Sequence, residues 1–234
     1  MKENKMKNFE CVAKTLKAYE AKLSPPMIIG VAGSVAAGKS TFSEKLAEAL
    51  GGIVVSVDGF IFPNKELTAK GIMDQKGFPI SFDQTKLVDF LQNVRHKAVT
   101  YPLYSQEISD VVPDRMGQID RPKVLIVEGI NILSYRQYLD YGIYLDATEA
   151  DLLSWYLERF EKLLAKHQND PTNFYYKYAQ MDRLEALELA REVWRKVNLK
   201  NLHEYILPTK KFADMIIEKS SSHAINKITY TEEK

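Results

Sequence analysis

Five short, nearly unbroken apolar runs punctuate the chain: MIIGVAG at 27–33, IVVSVD at 53–58, KVLIVEG at 123–129, YGIYLD at 141–146 and DMIIEK at 214–219. A strand with one wet face alternates apolar and polar positions, whereas a strand covered on both faces is apolar throughout. All five therefore predict buried strands. Helical patterns lie between them. Lys39 to Leu50 follows the first run, and Leu87, Val88, Leu91 and Val94 form a stripe behind Asp83, a predicted cap. Thr148, with Asp151 three residues on, opens a helix over 149–168 that carries Leu152, Trp155, Tyr156, Phe160 and Leu163. This alternation predicts an α/β fold with a mostly parallel sheet and helices on both faces.

Upstream, Phe9, Val12, Leu16, Tyr19 and Leu23 recur at near-helical spacing and predict an amphipathic helix within residues 1–24, closed by Pro25 and Pro26. Residues 25–234 read as one domain. Two stretches interrupt its alternation: 59–122, rich in glycine and proline, and 165–210, which holds HQNDPTNFYYKYAQ and then a charged helix through Trp194. Long insertions in a compact domain are usually substrate loops or lids.

Composition narrows the function. Among 234 residues, 32 basic side chains nearly cancel 31 acidic ones. Such a balance offers no overall field for nucleic acid or an anionic membrane, so any bound anion needs a local site. The single cysteine, Cys11, excludes an intramolecular disulfide and fits a reducing compartment. No run approaches the roughly 18 apolar residues of a spanning helix. The charged N-terminus lacks the apolar stretch of a secretory signal. The expectation is a cytoplasmic protein.

That local anion site is explicit. Gly33-Ser34-Val35-Ala36-Ala37-Gly38-Lys39-Ser40 satisfies G-x-x-x-x-G-K-[ST] between a predicted strand and a predicted helix, the context the motif requires. Glycines let such a loop curl until its N–H groups face phosphate oxygens, and the helix start behind it adds a positive end. Lys39 is expected to reach the β- and γ-phosphates of ATP, the Ser40 hydroxyl to ligate Mg²⁺, and Thr41 to continue the cradle.

Carboxylates at the carboxyl ends of other strands complete the chemistry. Asp58 ends IVVSVD, where ligands of parallel sheets sit, and could take a proton from an attacking alcohol; Asp-Gly is equally a turn former. Glu128 ends KVLIVE and is a candidate for the Mg²⁺ site. Asp146 ends YGIYLD directly before a helix start and reads as structural. Arg159, on the helix after Thr148, is either a lid arginine that neutralises phosphate charge or a solvated surface side chain. Lys76 is a weaker candidate of the same kind.

GVAGSVAAGKST, SVDGFIFPN, KGFP, YS with DVV beyond it, VLIVEGINIL, WYLERF, and NL with ILPT together resemble bacterial type I pantothenate kinase, in that family's order from about residue 27 to about 226. The resemblance implies a P-loop fold, ATP and Mg²⁺, a homodimer, and phosphorylation of the primary hydroxyl of pantothenate, the first step toward coenzyme A. It makes Asp58 the catalytic base. It gives Tyr156, Arg159 and Asn198 roles in substrate or phosphate binding. The chain also departs from the family. A pocket histidine is Gln106 here, one pocket tyrosine is Ser109 and another is Phe174. An arginine that contacts inhibitory coenzyme A becomes Glu44, and the arginine after ILPT becomes Lys210. Two other readings remain open: a kinase of another small polar alcohol, such as a nucleoside or sugar, and a non-catalytic nucleotide-binding regulator.

Overall fold

The computed structural model describes residues 8–231, so the first seven residues of the predicted 1–24 segment lie outside the described residues. In chain order the first elements are α1 (Phe9–Glu20), β1 (Met27–Gly33), α2 (Lys39–Leu50), β2 (Ile53–Ser56), α3 (Asn64–Ala69) and α4 (Gln84–Asn93). Then come the hairpin strands β3 (Val99–Ser105) and β4 (Asp110–Ile119), β5 (Val124–Glu128), β6 (Tyr141–Asp146) and α5 (Glu149–His167). The short α6 (Tyr176–Ala179), α7 (Arg183–Val193), β7 (Met215–Lys219) and β8 (Ile225–Tyr230) complete the fold.

The Asn8 side chain accepts from the Cys11 N–H at 3.1 Å and starts α1, whose Val12 and Leu16 are fully buried in the main core. Tyr19 packs edge-on against Tyr141, ring centres 5.2 Å apart. The predicted caps also form. Asp83 accepts from the Lys86 N–H at 3.0 Å, and Thr148 and Asp151 exchange two hydrogen bonds at the start of α5.

One sheet runs in the order β2-β5-β1-β6-β7-β8. Its first five strands are parallel, and β8 closes the edge antiparallel to β7. Every residue of β1 and β5 is buried, the physical origin of their unbroken apolar runs. Register decides what meets at the carboxyl end. Val31 of β1 and Ser56 of β2 both pair with Glu128 of β5, so the ends of three strands lie side by side.

Two details differ from expectation. The second strand stops at Ser56, and residues 57–60 form a 3₁₀ turn that carries Asp58 just beyond the sheet. The 59–122 stretch is not a plain loop: it holds α3, α4 and the β3–β4 hairpin. Past α7, the helix continues in wide π-type turns over Trp194–Leu199 and Leu202–Ile206, a form that often marks functional segments.

Candidate active site

The loop from Gly33 to Ser40 joins β1 to α2, and Gly38 sits at the helix start with φ +80°, a left-handed position that suits glycine. Ser34 is buried, and the Lys39 ammonium donates to its carbonyl at 2.9 Å. Burial pushes the Lys39 pKa below its ordinary value, while the Glu128 and Asp58 carboxylates pull it back up. The Ser40 hydroxyl donates to Glu128 Oε1 at 3.2 Å. That bond joins the start of α2 to the carboxyl end of β5. A cavity of about 390 Å³ opens on this side, lined by Lys39, Ser40, Thr41, Trp155, Arg159 and His223 among others.

Asp58 shares a second cavity of about 280 Å³ with Ser40 and Glu128, and its walls also include Tyr101, Pro102, Tyr104 and Gln106. Burial, then repulsion from Glu128, raises the Asp58 pKa to about 6; Lys39, Arg159 and Lys76 act in the opposite direction. Such a carboxylate is ionised at neutral pH yet basic enough to take a proton. Opposite it, burial raises the Tyr104 hydroxyl pKa to about 12, and that hydroxyl lies 3.3 Å from the Ser109 hydroxyl.

Arg159 lines the 390 Å³ cavity and a third one of about 500 Å³, built from Tyr156, Phe160, Phe174, Tyr175, Tyr178, Val193 and neighbours. Tyr156 stacks obliquely on Trp194 at 5.4 Å and hydrogen-bonds the Asn198 side chain, which ties α5 to the π-helical turns. Burial raises the Tyr156 pKa. Phe174 meets Tyr175 and Tyr178 edge-on or tilted, with centres 5.1 and 5.7 Å away. Phe174, Tyr175 and Tyr178 thus form cavity wall.

The predicted residues are spread over these cavities: Tyr156, Arg159 and Phe174 line the 500 Å³ one, and Ser40, Asp58, Gln106 and Glu128 the 280 Å³ one. Gln106 is exposed but reaches the Asp58 cavity, whereas Ser109 stands behind the wall. The Ser109 carbonyl accepts from both the Lys76 ammonium and the Asn64 amide. Lys210, in the family's arginine position, is bonded to Asp146 at 2.5 Å, and that pair gives Asp146 its structural place. Glu44 is exposed on α2. Sequence reasoning missed Lys219, Trp155 and His223 beside the loop. Lys219 could have been found by the reasoning used for Asp58 and Glu128, since it also ends one of the apolar runs.

Known proteins resemble this chain in sequence and in fold. The profile of the Phosphoribulokinase / Uridine kinase family matches residues 28–162. Pantothenate kinase of Lacticaseibacillus casei is 47% identical over 221 residues, covering 87% of this chain and 72% of the relative. Pantothenate kinase of Enterococcus faecalis is 43% identical over 242 residues, covering 95% and 79%. Among solved structures, the YGR205w protein aligns with a TM-score of 0.65 at 15% identity over 98% of this chain and all of its own. A protein from Bacillus stearothermophilus described as a possible uridine kinase aligns at 0.52 and 19% identity, over 69% of this chain and 90% of that one. These two likenesses concern the fold alone.

Proposed function

The chain belongs to the Phosphoribulokinase / Uridine kinase family and, within it, to the pantothenate kinases, and we propose that it transfers the γ-phosphoryl group of ATP to the primary hydroxyl of pantothenate, the first step of coenzyme A synthesis. The observation that carries this reading is Asp58 in one small cavity with Ser40 and Glu128, within electrostatic reach of Lys39. A protein that only held nucleotide would have no use for a raised-pKa carboxylate at that point.

Phosphoryl transfer through a loose transition state needs positioning and charge neutralisation more than covalent chemistry. Residues Gly33 to Thr41 cradle the phosphates with their N–H groups, and Lys39 exchanges the Ser34 carbonyl for phosphate oxygens. Asp58 orients the acceptor hydroxyl and takes its proton. Arg159, shared by two cavities, balances charge on the transferring group from the α5 side. Ser40 and Glu128 supply the hydroxyl and carboxylate oxygens that suit Mg²⁺, which when bound beside the phosphates would neutralise their charge. Tyr156, Asn198, Phe174 and Gln106 shape the acceptor side, with Ser109 acting from behind Tyr104. A cytoplasmic homodimer is proposed by family likeness.

The altered acceptor wall, with Gln106, Ser109 and Phe174, keeps a second reading in view: a kinase of another small alcohol. ADP release measured with pantothenate, uridine and a pentose separates the two. Turnover is expected with pantothenate and at most a trace with the others. Turnover with uridine or the pentose but none with pantothenate would overturn the proposal. Tight ATP binding without any turnover would point to a regulator.

A further inference from the structure

A second lysine reaches the phosphate loop from the far end of the chain. Lys219 ends β7 at the carboxyl edge of the sheet, and its ammonium donates to the Ala37 carbonyl at 2.8 Å. It also fills the space beside Gly38: a Cβ built there would lie 2.7 Å from the Lys219 Nζ. The ammonium sits 5.3 Å above the Trp155 ring, which is fixed by an indole N–H bond to the Ser221 carbonyl at 3.1 Å and stacks on His223 at 4.0 Å.

The strand is arranged to send this side chain inward. The β7–β8 register shifts between Glu218 and Lys219, and Glu218 turns the other way to meet Lys227 at 3.0 Å. Among the described residues no carboxylate lies within ion-pair distance of Lys219. A half-buried ammonium without a counter-charge is unfavourable unless an acceptor or an anion is close by. The loop carbonyl serves as that acceptor, and the neighbouring cavity is the one that takes phosphates. Burial lowers the Lys219 pKa, consistent with its enclosure.

We propose that Lys219 is a positioning residue of the phosphate loop: it holds the Ala37 carbonyl outward so that the loop N–H groups face the nucleotide, and it adds an unneutralised positive charge behind them. This rests on reading Gly33 to Ser40 as the cradle for ATP. Lys219→Met should raise the KM for ATP and the Kd for Mg·ADP about ten- to a hundredfold, the scale of a lost charged hydrogen bond. The KM for the acceptor alcohol and the melting temperature should stay close to wild type, and Lys219→Arg should recover part of the ATP affinity. Should the methionine variant fail to fold, Lys219→Gln carries the same comparison.

An ATP KM within twofold of wild type in Lys219→Met would overturn the proposal. So would a parallel rise of both KM values with a lowered melting temperature, which would make Lys219 a general prop. A wild-type protein that bound no Mg·ATP would instead overturn the reading of the loop, and this role with it.

Discussion

Asp58 shows how a functional residue works against the stability of its own fold. Its folded pKa of about 6 lies above the ordinary 3.8, so between those values the folded state holds more protons than the unfolded one. Stability contributed by this group is therefore highest below pH 4 and falls as pH rises to about 6, with a penalty on the order of 2–3 kcal/mol above that point. Asp58→Asn removes both base and penalty. The variant should lose roughly 10²–10⁴ in kcat with ATP affinity nearly intact, and wild-type kcat/KM should decline below about pH 6 as the base protonates. The same variant should melt several degrees above wild type at pH 8, with the gain vanishing near pH 4. An unchanged kcat would remove Asp58 from the role of base. At this scale the site was legible wherever chemistry demands fixed spacing, as at Lys39 and Ser40, or a strand end, as at Asp58 and Glu128. The sequence position of Ser109 could not show that Lys76 and Asn64 both bond its carbonyl.

The elements repeat this division between local and distant causes. The caps at Asp83 and Thr148 were readable because the partners lie three residues apart. The β3–β4 hairpin was not, since Pro102 in VTYPLYS argues against a strand; the register shift between Pro102 and Tyr104 is how the hairpin tolerates it. β8 was missed because INKITY, a partly exposed edge strand, lacks an apolar run. The hairpin matters to the site because it packs on the turn bearing Asp58: a Cβ at Gly59 would stand 2.1 Å from the Pro102 carbonyl oxygen. Gly59→Ala should push β3 away at about 1–3 kcal/mol and lower the melting temperature by several degrees. The acceptor KM should rise severalfold while the ATP KM barely changes. Equal effects on both substrates would show that the hairpin does not belong to the acceptor side alone.

For the molecule as a whole, continuous apolar runs announced a doubly covered parallel sheet, and the phosphate loop announced which end of it carries function. Strand order could not be read, because no local pattern records that β5 lies between β1 and β2. Self-association is likewise a property of surfaces that the chain does not spell out. The homodimer proposed by family likeness should sediment at twice the mass of one chain at micromolar concentration, and a single-chain mass would refute it.

That strand order has a consequence in time. Among the described residues the only sheet partner of β2 is β5, which leaves the ribosome about seventy residues later. Until then neither the segment bearing Asp58 nor β1, which leads into the Lys39 loop and pairs with β5 and β6, has a strand to pair with. Phosphate loop and base are therefore set in place by the same late strand, β5, which lies between β1 and β2. Turnover begins only when distant stretches of chain have closed on one another, a slow class of contact. The catalytic assay is thereby also a test of complete folding.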